Sequence, residues 1–323
     1  MTILQPAERI DIDVLADNVS DSLSSTPGFV TREWTRLQRR GMRLSGAALC
    51  CATHGLALLI TAHTPRATHG FLFDGGLIGP VFEHNGVALG VAFGAIEAAM
   101  LSHGHWDHAG GLPRALGLIT AANGGRAVPL YLHPAMFGRR GQRQPDGGVL
   151  PSERVPTPQE WSEFGAEPIV TTEPLTCLDD LYYVSGEIPR LTPYEIGVAN
   201  QVRDDGAGWQ PDPFVMDERF LALHLRGKGL VVFSACSHAG IVNVLQQARA
   251  SFPGMKLHAV MGGLHLAGAT EAAIPETVRG LAAFDLDLII PGHCTGWRAL
   301  HALVAAFGEP RVVPFAVGKR FSL

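Results

Sequence analysis

Residues 98–108 read AAMLSHGHWDH, an apolar run that stops at a turn carrying three histidines and an aspartate. Imidazole nitrogen and carboxylate oxygen are the donors that suit zinc and other first-row metals. His103, His105, Asp107 and His108 supply four of them within six residues. In extended backbone, residues two apart point the same way, so His103 and His105 are placed to grip one ion. Asp107 and His108 follow the turn and reach a second ion beside it. Gly104 and the pair Gly110-Gly111 are expected to permit the tight backbone this needs. A solvated polar turn or a core histidine accounts for one such residue, not for four at this spacing directly after a strand.

The pattern recurs at three later strand ends: GLVVFSACSH at 229–238, HAVMGGLH at 258–265 and DLIIPGHC at 287–294. Short apolar runs of this kind read as buried strands of a layered α/β structure. Ligands of open α/β sheets sit beyond the carboxyl ends of the strands, so four ends that each deliver a histidine are expected to converge on one site. Each metal needs further donors to reach four or five coordination. His238 and His293 are the leading candidates. Cys236 competes as a thiolate ligand, against the plainer reading of a small buried residue. His265 is placed to be a ligand, a neighbour of ligands or a substrate contact. His54, His63, His69, His84, His133, His224, His258 and His301 read as structural. Ile241, Val244, Leu245 and Ala248 share one helical face, as do Leu300, Leu303, Val304 and Phe307 before Gly308. Strand, turn and helix thus alternate, which makes the class α/β.

Around these motifs the 323 residues, 46% hydrophobic with a net charge of −5, carry no broad basic excess, so no nucleic-acid surface is expected. Five cysteines without a C-x-x-C pair argue against a disulfide framework. The acidic start MTILQPAERIDIDVLADN lacks the apolar run of a signal peptide, and a cytoplasmic protein is expected. Residues 44–65 hold no Asp, Glu, Lys or Arg, a length that spans a bilayer. His54-Gly55 interrupts them, and two buried strands joined there are expected instead of a membrane segment. IDIDVLAD at 10–17 alternates as a half-buried strand does. The stretch 138–215 is rich in proline and reads as a lid-like insertion within one domain spanning 1–323. It carries Arg139, Arg140 and Arg143, read as a solvated basic loop, and Arg190, the better placed for phosphate or carboxylate.

The H-x-H-x-D-H run resembles the metallo-β-lactamase superfamily, whose fold is a four-layer αββα sandwich. LSHGHWDHAGGL at 101–112, SGEIPR at 185–190 with Glu195 after it, and ACSHAGIVN at 235–243 are similar to one of its subfamilies. So are GGLHL at 262–266, PGHCTG at 291–296, HGLALLI at 54–60 and FDGG at 73–76. That subfamily is the dihydropterin–ribofuranosylaminobenzene-phosphate synthase-like metallohydrolases, and the likeness runs from about residue 10 to the C-terminus. The resemblance implies an enzyme with two divalent metal ions, zinc first and manganese or iron as alternatives. It assigns His103, His105, Asp107, His108, His238 and His293 to those metals, and Asp107 is further expected to orient the nucleophile. Arg190, His265 and Cys236 are left toward the substrate. The superfamily often bridges its metals with an aspartate at a strand end, and no aspartate stands in the SACSH turn. Thr53 precedes His54 where the family commonly has glutamate, and FDGG replaces a frequent Asp-Thr-Gly.

The expected activity is hydrolysis of an ester, phosphoester or lactone-type small molecule, with or without a phosphate. The alternative is a synthase condensing a dihydropterin precursor with an aminobenzene ribofuranosyl phosphate. A di-iron partner of flavoproteins fits less well, because that group usually has glutamate where His105 stands.

Overall fold

The computed structural model describes residues 4–323. An eight-stranded sheet runs in the order Ala166–Val170, Val128–Leu132, Ile96–Met100, Thr68–Phe73, Ala57–His63, Arg9–Ala16, Arg320–Ser322, Val30–Thr31. A seven-stranded sheet runs Leu175–Cys177, Tyr182–Val184, Leu221–Leu225, Gly229–Ser234, Leu257–Gly263, Leu288–Gly292, and Pro6–Ala7 also pairs with Leu221–Leu225. Alternation along each strand explains the layering. Val231 and Phe233 face one shared core with Ile60, Phe71, Phe73 and Met100 of the other sheet. Leu230 and Val232 face the opposite way, onto the helices Ile241–Ser251 and Trp297–Phe307. Leu59, Leu72 and Ala99 likewise turn outward to Gly79–Leu89 and Leu112–Ala122. Strands buried on both faces must be apolar at every position, which is why GLVVFS and ALLI read as unbroken runs. Full burial of each such Phe, Leu or Ile contributes about 1.5–3 kcal/mol. The result is helix, sheet, sheet, helix.

Two expectations need correction. The strand Arg9–Ala16 forms, but its acidic face is not in water: Asp13 is only 2% exposed. Arg36 Nη1 at 2.7 Å and Arg320 Nη2 at 2.6 Å close over its carboxylate, which is how a buried charge is tolerated. Of the two strands expected around His54-Gly55, only Ala57–His63 forms, while 46–52 is turn and irregular chain. No helix among the described residues is long and apolar enough to cross a membrane.

The proline-rich stretch 138–215 is shared out. Ala166–Val170 extends the first large sheet, and Leu175–Cys177 and Tyr182–Val184 extend the second. Only Arg139–Arg143, Val149–Pro151, Gln201–Asp204 and Gln210–Pro211 make a separate small sheet. Gln142, Ser152 and Gln201 from this part line the cleft described next.

Candidate metal centre

The carboxyl ends of Ile96–Met100, Gly229–Ser234, Leu257–Gly263 and Leu288–Gly292 meet at one edge of the sandwich. There the chain turns sharply, and several residues that are not glycine adopt left-handed backbone: Asp74 (φ 61°), Ser237 (58°), His265 (43°) and His293 (48°). Each such residue costs about 1–3 kcal/mol and persists only where surrounding structure enforces it. Three of them follow strands named above and Asp74 follows Thr68–Phe73, so they cluster around the site.

His103, His105 and His238 form one donor group, with ligand atoms all within 4.8 Å of one another. His103 Nε2 is 3.0 Å from His105 Nδ1, and the His238 ring lies 4.8 and 4.7 Å from the two. Beside it, Asp107 Oδ2 is 3.6 Å from both His108 Nε2 and His293 Nε2. Cys236 lies against the second group and near His103 of the first. Its Sγ is 3.3 Å from His108 Nε2 and 3.2 Å from His293 Nε2, and it also clusters with His103. All six residues expected from the sequence as ligands are therefore brought together.

The surrounding hydrogen bonds determine which nitrogen each imidazole presents. Ser102 Oγ donates to Asp74 Oδ2 at 2.8 Å, so it accepts from His103 Nδ1 at 2.9 Å. His108 Nδ1 donates to Asp74 Oδ2 at 2.7 Å. His293 Nδ1 donates to Asn18 Oδ1 at 3.1 Å, while its backbone N donates to Asp17 Oδ1 at 2.8 Å. All three rings are left with an Nε2 lone pair facing the centre, the usual arrangement around ligating histidines. The other loops are pinned by backbone contacts. Gly104 N donates to Asp217 Oδ2 at 2.7 Å, and His238 N and Ala239 N donate to Glu218 at 2.9 and 2.6 Å. Asp74→Ala removes the partner that His108 and Ser102 share. Metal affinity should weaken by about 10–100-fold at this position, read by titration against a chromophoric chelator; unchanged affinity would show that Asp74 does not orient His108.

The donor set fits cations. His238 is 3% exposed, yet neither ring nitrogen has a hydrogen-bond partner, and His105 Nε2 is likewise unpartnered. Buried polar atoms without partners are costly, and a ligated cation relieves that cost. Burial, reinforced by the neighbouring histidines, holds His103 and His238 well below the ordinary imidazole value, and burial brings His293 to about 4. These rings are neutral near pH 7, the ligating form. At His108, burial is outweighed by Asp107 and Asp74, which raise it to about 9. That position favours positive charge, which a divalent cation would supply in place of the proton.

Other residues fall differently from the sequence reading. His265 lines the cleft with its ring 4.3 Å from that of His238. Arg190 does not reach the cleft. It donates to the backbone carbonyls of Ile188, Phe214 and Val215, and so ties two loops together. Arg140, expected in a solvated loop, is 3% exposed and paired with Asp217 and Asp212. Gly104 is not needed for unusual backbone: a Cβ there would lie 2.5 Å from the Arg140 guanidinium. Gly110 and Gly111 similarly let the metal loop approach the Leu77 and Gly75 carbonyls. His54, read as structural, faces the cleft, with Nε2 3.1 Å from Asp107 Oδ2. Gly55 makes this approach possible, since a Cβ would stand 2.2 Å from the Asp107 carbonyl oxygen. FDGG, a strand end like the others, was the available signal for Asp74. Asp217 and Glu218, inside an irregular stretch, offered none.

No family model matches the chain. It is 27% identical over 267 residues to the 7,8-dihydropterin-6-methyl-4-(β-D-ribofuranosyl)-aminobenzene-5'-phosphate synthase of Methanocaldococcus jannaschii, covering 79% of this chain and 85% of that protein. An uncharacterised protein of the same organism is 28% identical over 254 residues, covering 78% and 88%. Among solved structures, Tm1679, a metal-dependent hydrolase of the β-lactamase superfamily, superposes with a TM-score of 0.69 at 20% identity. That superposition covers 97% of this chain and 98% of the other.

Proposed function

We propose that this chain, which has the metallo-β-lactamase fold, is a metal-dependent hydrolase acting on an ester, phosphoester or lactone-type small molecule at a dinuclear site. The observation that supports the reading is the meeting of two donor groups side by side, with Cys236 in contact with His108 and His293 and its sulfur within 4.8 Å of a His103 ring nitrogen. His103, His105 and His238 would hold one cation. Asp107, His108 and His293 would hold the other, with the Cys236 thiol beside His108 and His293 as a further donor. When bound, the cations supply Lewis acidity, acidifying a water and stabilising negative charge on oxygen.

The chain's own groups do the rest. Asp74, Ser102 and Asn18 hold the Nδ1 protons of His108, His103 and His293, and so aim the ring nitrogens. Asp107 orients the attacking oxygen. His54, half-exposed with its Nε2 on the Asp107 carboxylate, is positioned to carry a proton between cleft and solvent. Zinc suits this nitrogen-rich set, and the thiol of Cys236 strengthens that preference over manganese.

Metal analysis of the purified protein, followed by assays on phosphodiesters, lactones and pterin phosphates, tests the proposal. The expected result is about two equivalents of metal and hydrolysis of at least one class. Protein that takes up no metal, or metal-loaded protein inert to all of them, overturns it. A second reading keeps the cations but makes the reaction a condensation of a dihydropterin precursor with an aminobenzene ribofuranosyl phosphate. The similarity to the synthase supports that reading, and product analysis distinguishes a joined product from two hydrolysed fragments.

A further inference from the structure

The metal cleft itself is small, about 120 Å³. Pockets that enclose small ligands typically run to about 300–1,000 Å³. A second cavity of about 290 Å³ adjoins it, and His238 and His265 line both. Its walls are largely apolar, formed by Tyr194, Ile196, Leu264, Leu266 and Ala273 with the buried Thr277. The two carboxylates on its boundary are already engaged. Glu195 accepts from Val242 N at 2.8 Å, Asn243 N at 3.0 Å and the Thr192 hydroxyl at 2.7 Å, and Glu276 pairs with Arg279. No Lys or Arg lines it. With both carboxylates engaged and no Lys or Arg on the walls, an apolar group gains more by leaving water here than a charged one does.

Two polar atoms stand out on this lining. Thr277 is 1% exposed and its Oγ1 has no hydrogen-bond partner, and His265 Nδ1 is unpartnered as well. The left-handed backbone at His265 keeps that ring on the wall between cavity and cleft.

We propose that this cavity is a substrate pocket taking an uncharged ring or short branched chain, attached to the group that reacts in the neighbouring cleft. The inference rests on the metal-centre reading above and extends it to the class of substrate: a molecule with a compact apolar end and a reactive group next to it.

Paired phosphonates test it without turnover. Phenylphosphonate and methylphosphonate carry the same metal-binding head and differ only in the group available to the pocket. Calorimetry on metal-loaded protein should show phenylphosphonate binding about tenfold tighter. Ala273→Phe, or Ala269→Phe on the neighbouring turn, fills the space and should bring the ratio close to one, with metal content and melting temperature as in the unaltered protein. Equal affinity for the two compounds in the unaltered protein overturns the pocket, as does a preference that survives both substitutions. Loss of both phosphonates from protein that also holds no metal overturns the pocket together with the metal centre, a pattern distinct from failure of the pocket alone.

Discussion

His103→Ala should abolish metal binding at the three-histidine group and lower turnover on the order of 10³-fold or more while leaving the fold intact. His103 is fully buried and central. Its ring lies 4.5 Å from that of His105, 4.4 Å from His108 and 4.8 Å from His238. Removing it takes one donor from a group of three and leaves the Ser102 hydroxyl without its imidazole. The sheets do not depend on it, because their core lies among Phe71, Phe73, Phe233 and their neighbours. Stability supplied by bound cations follows mass action, about 4 kcal/mol at a thousandfold excess over the dissociation constant. The variant should therefore melt close to the metal-free parent rather than far below it. Metal analysis, thermal melting and turnover measured on one preparation read all three consequences. Near-normal metal content with normal turnover would eliminate the proposed site.

Arg140→Ala should be the most damaging single change away from the ligands, costing about 3–5 kcal/mol. Asp217 is completely buried, and Arg140 Nη1 donates to its Oδ2 at 3.0 Å while Nη2 donates to its Oδ1. Without the guanidinium the carboxylate is left charged, unpaired and out of water. A typical domain is stable by about 5–15 kcal/mol, so this is a large fraction of the whole. Burial alone would push the Asp217 carboxyl up, but Arg140 holds it below the ordinary aspartate value. The pair's contribution is thus complete above about pH 4, the unfolded aspartate value, and is lost as the pH falls below it. Denaturant unfolding should show the gap between parent and variant narrowing in acid. The double variant R140A/D217N, which removes the stranded charge, should recover part of the stability. Because Asp217 also holds Gly104 N, both variants should bind metal more weakly. A single variant as stable as the parent at pH 7 would refute this account.

The candidate ligands were legible because metal chemistry restricts such donors to a few residue types and strand geometry restricts them to strand ends. His238 and His293 lie far from His103 in sequence, yet each follows an apolar run, and that repetition was enough to group them. The layering was legible for a related reason: strands covered on both faces cannot hide a polar residue. Arg190 and Arg140 show where such reasoning stops. Both are arginines in the same proline-rich stretch, and nothing local distinguishes one tied to backbone carbonyls from one paired with a buried aspartate. His54 reads as structural because its motif, HGLALLI, carries no donor partner nearby in sequence, and its approach to the cleft depends on the Asp107 backbone passing directly over Gly55. The apolar run 46–52 before His54-Gly55 is similar, since without a partner strand it does not become one.

The sequence by itself determined the α/β alternation, the four histidine-bearing strand ends and the six candidate ligands, since each follows from local periodicity and donor chemistry. Only the tertiary structure decided which atoms face one another: Cys236 against His108 and His293, Asp74 behind His108, Arg140 over Asp217, and an apolar cavity behind His238 and His265. Those pairings join residues scores of positions apart, and their energies depend on distance and burial in space, quantities that exist only once the sheets have packed.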